Sequence, residues 1–126
     1  MNWYVAPDVQ KRLHRILHHL DLPHVKKDHL IIYRSRGSKS RAYARIWSLP
    51  RVWQMALKVS PQYIIEVVSE KFDKLSLENR DRTLIHELMH IPKTFSGALV
   101  PHRSRSHRIN QQTVEKLYQD FKRNLK

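Results

Sequence analysis

The sequence predicts an α+β fold in which a small mixed or antiparallel sheet packs against helices. Apolar residues recur at helical spacing over residues 7–20 and again near the C-terminus. The middle of the chain is instead rich in β-branched and aromatic residues. Residues 76–91 then return to a helical pattern. A helix, several strands and two further helices, in that order, indicate an α+β layer fold with the penultimate helix packed under the sheet.

The first predicted helix spans residues 7–20 and presents one apolar stripe. The stripe consists of Val9, Leu13, Ile16, Leu17 and Leu20. Strands are predicted at residues 30–33, 42–47, 52–59 and 63–68. A basic turn over residues 34–40, the Leu49-Pro50 pair and the Ser60-Pro61 pair separate them.

Two helices complete the predicted fold. Ser76 is a suitable N-cap for the penultimate helix, and Pro92 is expected to end it. Asn110 can cap the last helix, whose apolar stripe is Val114, Leu117, Tyr118, Phe121 and Leu125. Because the sequence shows neither an internal repeat nor a linker, residues 1–126 are expected to form a single domain.

The composition limits the possible chemistry and location. The chain has no cysteine, which excludes disulfides and thiolate metal sites, so a transition metal must be held by His, Asp or Glu. The N-terminus lacks a charged segment followed by an apolar one, and no apolar run reaches membrane-spanning length. We therefore expect a cytoplasmic protein that makes no membrane contact.

The strongly basic composition indicates a polyanionic partner. Lys and Arg number 24 against 11 acidic residues, which gives a net charge of +13. The basic residues gather at 26–27, 34–45, 103–108 and 122–126. Such a field predicts non-specific DNA or RNA binding through the basic surface, with a solubility role as the alternative. No aromatic-rich RNA-binding signature or helix-turn-helix pattern is evident in the sequence.

The most informative motif is His86-Glu87-Leu88-Met89-His90, an H-E-x-x-H sequence within an apolar segment. Residues four apart project from nearly the same side of a helix, so His86 and His90 can hold one metal ion. Glu87 lies next to them and can reach a water bound to that ion. The motif predicts a Zn²⁺ site with a zinc-activated water and Glu87 as the catalytic general base.

The histidines also admit two less specific interpretations. His86 and His90 could be hydrogen-bonded core histidines, although burying two imidazoles and a carboxylate without partners would cost several kcal/mol. His14 and His18 are also four apart, but they lie on the polar side of the first predicted helix and no carboxylate follows His14. A solvated face is the preferred interpretation of this second pair.

A catalytic zinc site needs a third protein ligand. His102 is preferred, because the turn at Gly97 lets the chain double back and twelve residues separate it from His90. His107 is the alternative third ligand, and an acid of the last helix, Glu115 or Asp120, is a further one. The metzincin pattern fails, since it requires Gly at position 93 and His at position 96.

The residues around the motif resemble those of a known family. His86-Glu87-Leu88-Met89-His90-Ile91-Pro92, followed by Phe95-Ser96-Gly97-Ala98-Leu99 and Pro101-His102, is similar to the small metallopeptidases of archaea and phages. These are zincin-like proteins akin to the SprT-like metalloproteases. The resemblance is densest over residues 62–108. It implies a zincin-like fold with zinc held by His86, His90 and His102 and with Glu87 as base.

The expected activity is zinc-dependent hydrolysis of peptide bonds in a protein or peptide substrate. The resemblance and the charge together suggest substrates that are associated with DNA. The alternative is a non-catalytic, basic nucleic-acid-binding protein with a structural metal site. Candidate oxyanion donors are Tyr118, His107 and Arg105, and candidate carboxylates for orienting the imidazoles are Asp81, Glu78 and Glu66. Arg45, Trp47 or Trp53 could lie on a substrate-binding edge strand.

Overall fold

The computed structural model describes residues 1–104 and 108–125 and confirms the predicted α+β class. A four-stranded sheet packs with one face against helices. The strands are β1 (Asn2–Val5), β2 (Leu30–Arg36), β3 (Ala44–Ser48) and β4 (Tyr63–Val68). The helices are α1 (Pro7–His19), α2 (Arg51–Leu57), α3 (Ser69–Phe72), α4 (Leu77–Leu88) and α5 (Gln111–Asn124), and a 3₁₀ turn covers Lys27–His29. In the described part of the chain, no helix has the length and apolar character needed to cross a membrane.

The sheet is mixed, with the strand order β1-β2-β4-β3. β2 and β4 form the parallel central pair, and β1 and β3 add antiparallel edges on either side. The parallel pair is possible because β3 and α2 lie between β2 and β4 in the chain and supply the long connection that parallel strands require.

One face of the sheet and three helices enclose the core. Alternate residues of the central strands point into it, and each of these side chains is at most 2% exposed. The strand residues are Leu30, Ile32, Tyr63, Ile65 and Val67. α1, α4 and α5 contribute Leu13, Ile16, Leu84, Ile85, Leu88 and Phe121, each at most 1% exposed. Full burial of an aliphatic or aromatic side chain contributes about 1.5–3 kcal/mol, so this layer is the main source of stability.

The predicted strand over residues 52–59 is wrong, because Arg51–Leu57 form α2. Apolar runs of this length do not distinguish helix from strand by periodicity, and the good helix formers of this segment decide the outcome. Gln54 is its buried residue, and Lys58 ends the helix in the left-handed conformation at φ 57°.

The structure has an N-terminal strand, β1, where the sequence predicts none. Its residues are β-prone, but all four positions are exposed, so no alternation marks them as a strand. β1 also explains why β2 continues to Arg36, into the segment predicted as a turn. Asn2 of β1 pairs with Arg36, which gives the end of β2 a hydrogen-bonding partner.

Candidate metal centre

α4 begins where the sequence predicts, and its last turn carries the first half of the motif. The Ser76 side chain accepts a hydrogen bond from the Asn79 amide at 3.2 Å, which caps the helix. α4 buries Leu84, Ile85 and Leu88 against the core, and this packing fixes its rotation. Its last turn therefore directs His86 toward an open cleft.

The second histidine of the motif lies just beyond the helix. α4 ends at Leu88, four residues before the expected stop at Pro92, and His90 follows in a tight turn in which its amide donates to Glu87 O at 3.1 Å. In this turn the imidazoles of His86 and His90 still lie close together, with ring centroids 5.2 Å apart. The motif thus brings His86 and His90 together without a continuous helix.

Val100 orients His90. The His90 Nδ1 lies 2.6 Å from Val100 O, and because a carbonyl oxygen can only accept, Nδ1 is the donor. The Val100 amide in turn donates to His90 O at 2.7 Å. The reciprocal pair places the proton on Nδ1 and leaves Nε2 as the lone-pair nitrogen, which is the arrangement that metal-binding histidines usually adopt.

The loop that carries His102 is held by two residues from other elements. The Tyr63 hydroxyl of β4 donates to Ala98 O at 2.8 Å and accepts from the Gly97 amide at 2.9 Å. The Gln54 side chain of α2 donates to Ser96 O at 3.0 Å. Gly97 has φ +93°, a conformation that only glycine adopts without strain. Its α-carbon faces Gln54 so closely that a Cβ would lie 2.1 Å from Gln54 Nε2.

These constraints bring His102 to the two histidines of the motif. The ligand nitrogens of His86, His90 and His102 all lie within 4.8 Å of one another. The His86 and His102 Nε2 atoms are 3.1 Å apart. On its other side, His102 O accepts from the amide of Ile109, which is 3% exposed and packs in the core. Among the described residues, this is the cluster of metal-ligand side chains that the fold assembles.

Glu87 lies beside the cluster and is 8% exposed. Burial disfavours its charged form and raises the pKa of the Glu87 carboxyl to about 8. Burial also lowers the pKa of His86 to about 4, with a further lowering by the neighbouring His90 and His102. His86 is therefore neutral at neutral pH.

The cluster opens into a cavity of about 940 Å³. Residues 42–45, at and before the start of the edge strand β3, form one wall. α4 and the N-terminal part of α5 form the opposite wall, where Arg82 donates to Glu115 at 2.8 and 3.2 Å. The cavity is open to solvent, with the histidines and Glu87 in its lining. Such a cleft admits an extended chain.

Comparison with known proteins identifies the family. A family model described as "Putative phage metallopeptidase" matches residues 1–123. The chain belongs to the phage metallopeptidase family. The family name implies a metal cofactor and protein or peptide substrates. A search of curated proteins and a search of solved structures each gave no match.

The clustered residues of this family member fit a metal ion. Two nitrogens that share a tetrahedral zinc ion at about 2.0–2.1 Å lie about 3.3 Å apart, close to the 3.1 Å between the His86 and His102 Nε2 atoms. The neutral state of His86 and the Nε2 lone pair of His90 supply the deprotonated nitrogens that metal binding requires. His86, His90 and His102 could therefore hold the cofactor.

Other predicted site residues of the metallopeptidase lie elsewhere or are engaged. His107 and Arg105 fall outside the described residues. Tyr118 is 3% exposed beneath the Arg82 guanidinium, so it is not an oxyanion donor in this conformation. Four of the remaining acids are paired with arginines: Asp81 with Arg12, Glu66 with Arg45, Glu115 with Arg82 and Asp120 with Arg123. Glu78 lies in the first turn of α4, at the opposite end of that helix from His86. A backbone carbonyl, that of Val100, orients His90 instead of a predicted carboxylate.

Sequence reasoning missed the residues that position the third histidine. The sequence predicts only strand positions for Tyr63 and for Gln54, which in fact lies on a helix, and it assigns no role to Val100. Their roles depend on main-chain contacts across 10 to 42 residues of sequence. Gly97 was the one available signal, because a glycine in a loop between two candidate ligands marks a sharp turn.

Proposed function

We propose that this chain is a zinc-dependent metallopeptidase with His86, His90 and His102 as ligands and Glu87 as the general base. The observation that carries the proposal is the convergence of three imidazoles beside a buried carboxylate in the wall of an open cleft. Zinc is the metal proposed, because a set of three neutral nitrogen ligands with room for a fourth group suits its tetrahedral coordination. Residues 1–126 would act as one metallopeptidase domain.

The residues of the site divide the chemistry between them. When bound, zinc would lower the pKa of a coordinated water to about 7 and polarise the scissile carbonyl. Glu87 would take the proton of the attacking water and deliver it to the leaving amine. Burial raises the proton affinity of the Glu87 carboxyl, which strengthens it as a base, and the positive charge of a bound metal ion would favour the ionised form that accepts the proton. The Val100 carbonyl would keep the His90 ring and its tautomer fixed during the reaction.

The substrate is proposed to bind as an added strand beside β3. β3 is an edge of the sheet, and the segment 42–45 lines the cavity next to the metal cluster. The free backbone groups of an edge strand can pair with an extended peptide in this position. Arg45 and Trp47, two of the residues predicted for such an edge, lie on β3, whereas the third, Trp53, lies on α2.

Metal content and cleavage together test the proposal. Wild type, His86→Ala and Glu87→Gln, purified without a histidine tag, should be compared for bound zinc and for cleavage of an unfolded protein such as casein. We expect one zinc per chain in wild type and in Glu87→Gln, and a loss of zinc in His86→Ala. Cleavage should fall at least about 100-fold in both variants. His14→Ala is the matched control, because His14 is a histidine of α1 outside the cluster.

The same variants separate this proposal from a non-catalytic protein with a structural metal. If the metal is only structural, wild type will bind zinc but leave casein intact, and Glu87→Gln will match wild type in every property. Retention of a full equivalent of zinc by His86→Ala would place the metal at other residues.

The net charge of +13 supports a finer proposal, that the substrates are proteins associated with DNA. Electrostatic binding would hold the enzyme near such substrates and would weaken steeply with salt. DNA should then stimulate cleavage of a DNA-bound protein at low salt. Equal cleavage rates with and without DNA would exclude this part of the proposal.

A further inference from the structure

The face of the sheet that points away from the helices carries a cluster of aromatic side chains. The Trp3 ring lies 6.1 Å from Tyr33 and 6.3 Å from Trp47, in edge-to-face contacts. The three rings come from β1, β2 and β3, so the cluster extends across the sheet from one edge strand to the other. Together with Ile64 of β4, we call these residues the aromatic face.

Strand register explains why these residues share a face. Trp3 pairs with Ser35 and Trp47 pairs with Ile64, and directly paired residues project to the same side of a sheet. Residues of β4 on either side of Ile64, namely Tyr63 and Ile65, point into the core. The aromatic face is thus the outer surface of the sheet.

This surface is open to solvent. Trp3 is 43% exposed and Trp47 is 45% exposed, which is unusual for residues that would gain stability from burial. A shallow cavity of about 510 Å³ lies between the rings, and its lining comes entirely from the four strands. It is formed by Trp3, Tyr33, Trp47, Ser48 and Ile64.

The chain's net charge of +13 favours an anionic occupant, and the aromatic face adds no uncompensated negative charge to oppose it. Among the outward positions of the four strands, all within the described residues, Glu66 carries the single carboxylate. Glu66 is 0% exposed, and Arg45, Ser35 and Trp47 all donate to it, so its charge is compensated and shielded. The Arg45 guanidinium lies over the Trp47 ring at 5.1 Å and remains 36% exposed.

We propose that the aromatic face binds single-stranded nucleic acid by stacking unpaired bases on Trp3, Tyr33 and Trp47. Exposed aromatic rings in a positive field are the combination by which proteins bind single strands without sequence preference. A duplex keeps its bases stacked and cannot offer them to a sheet surface. A second copy of the chain is disfavoured as the occupant, because two molecules of charge +13 repel each other.

Binding measurements on tryptophan variants test the proposal. Fluorescence anisotropy with labelled dT15, in low-salt buffer, should show binding by wild type and weaker binding to a duplex of equal length. Trp3→Ala should weaken dT15 binding by roughly 5-fold to 150-fold, the range expected for loss of one base stack. Trp53→Ala is the matched control, since Trp53 is 54% exposed on α2 and off the aromatic face, and it should bind as wild type does.

A second measurement needs no change to the aromatic face. The chain has three tryptophans, so in a Trp53→Phe variant the emission excited selectively from tryptophan comes only from Trp3 and Trp47. Saturating dT15 should quench this emission. Glu87→Gln should bind dT15 like wild type, which separates this proposal from the peptidase proposal, because neither assay requires cleavage.

Three outcomes would overturn the proposal. Unchanged dT15 affinity in a folded Trp3→Ala variant would show that charge alone accounts for binding. Absence of quenching in Trp53→Phe at saturating dT15 would place the bases away from the aromatic face. This result alone would reject the proposal if Trp3→Ala failed to fold. A concentration-dependent dimer that Trp3→Ala abolishes, observed by sedimentation equilibrium, would assign the aromatic face to a second copy.

Discussion

Tyr63 illustrates how one buried hydroxyl positions a distant metal-ligand candidate. It is 0% exposed, and its hydroxyl both donates to Ala98 O and accepts from the Gly97 amide. These bonds hold the loop that leads to His102. The histidine itself is exposed, so its own packing fixes it only weakly. The position of His102 in the cluster therefore depends on Tyr63, whose hydroxyl bonds to the loop backbone and to none of the three imidazoles.

Replacing Tyr63 by phenylalanine should weaken both the fold and metal binding. The change leaves a buried amide and a carbonyl without their partner, which costs about 1–3 kcal/mol of unfolding free energy. The loosened loop should also lower zinc affinity, measured by competition with a chelating dye. Tyr4→Phe is the control, because Tyr4 is 47% exposed on β1 and should leave both quantities unchanged. Wild-type zinc affinity in Tyr63→Phe would show that Gln54 alone suffices to hold the loop.

At the scale of elements, the loop at Gly97 can be tested against the loop at Gly37. Both glycines have positive φ, so alanine strains the backbone at either position. At Gly97 a Cβ would also collide with Gln54 Nε2 at 2.1 Å and Leu49 O at 2.7 Å, whereas at Gly37 its nearest neighbour is 3.5 Å away. Gly97→Ala should therefore lose more unfolding free energy than Gly37→Ala, by about 1–3 kcal/mol. Only Gly97→Ala should lose zinc affinity. Equal losses in urea denaturation would indicate that the loop shifts to make room.

Glu66 links three strands and makes the stability of the sheet depend on pH. Burial opposes its charge, but hydrogen bonds from Arg45, Ser35 and Trp47 outweigh burial and hold the pKa of Glu66 below its ordinary value of 4.5. A lowered pKa in the folded state means that ionised Glu66 stabilises the fold above about pH 4.5, and that this contribution disappears as the pH falls through the lower folded value.

Glu66→Gln should thus be less stable than wild type at pH 7 by about 1–3 kcal/mol, since Arg45 loses its charged partner. The difference between the two proteins should shrink below about pH 4.5, where wild type also loses the charge. Urea denaturation of both proteins at several pH values between about 3 and 7 measures this difference in unfolding free energy. A difference that stays constant over this range would mean that the charge of Glu66 does not contribute.

At the scale of the whole molecule, metal binding and folding should be coupled. His86 lies in the last turn of α4, His90 lies in the turn that follows, and His102 lies after a loop, so the three can hold one ion only when the chain is folded. Zinc at 100 times its dissociation constant should raise the unfolding free energy by about 2.7 kcal/mol. Thermal denaturation with zinc and with a chelator measures the shift. His102→Ala should abolish it, whereas His18→Ala, a change on α1, should not.

Most of the element order could be predicted from local sequence signals. β4 matches the predicted span, and α1, α4 and α5 begin where their caps or proline indicate. The errors lie where local signals are ambiguous. Residues 51–57 are apolar on most sides and are largely exposed. Their apolar residues therefore show neither the spacing of a helix nor the alternation of a strand. β1 gains its conformation from pairing with β2 rather than from its own pattern.

The arrangement of surfaces was less predictable than the motif. The spacing of His86 and His90 is local, so their proximity follows from the backbone of one helix and its closing turn. The aromatic face joins Trp3, Tyr33 and Trp47, which are far apart in sequence and meet only through the register of the sheet. Local sequence signals do not give this register, because it depends on the order of the strands in the sheet.

The open edge of β3 limits which proteins such an enzyme could process. A polypeptide that adds a strand there must give up its own backbone pairing over several residues, so compact native proteins would be resistant while tails, linkers and partly unfolded chains would be cut. For a folded target, the rate of digestion would follow the frequency with which that target opens locally. A peptidase of this geometry would therefore cleave unstructured segments in preference to compact domains.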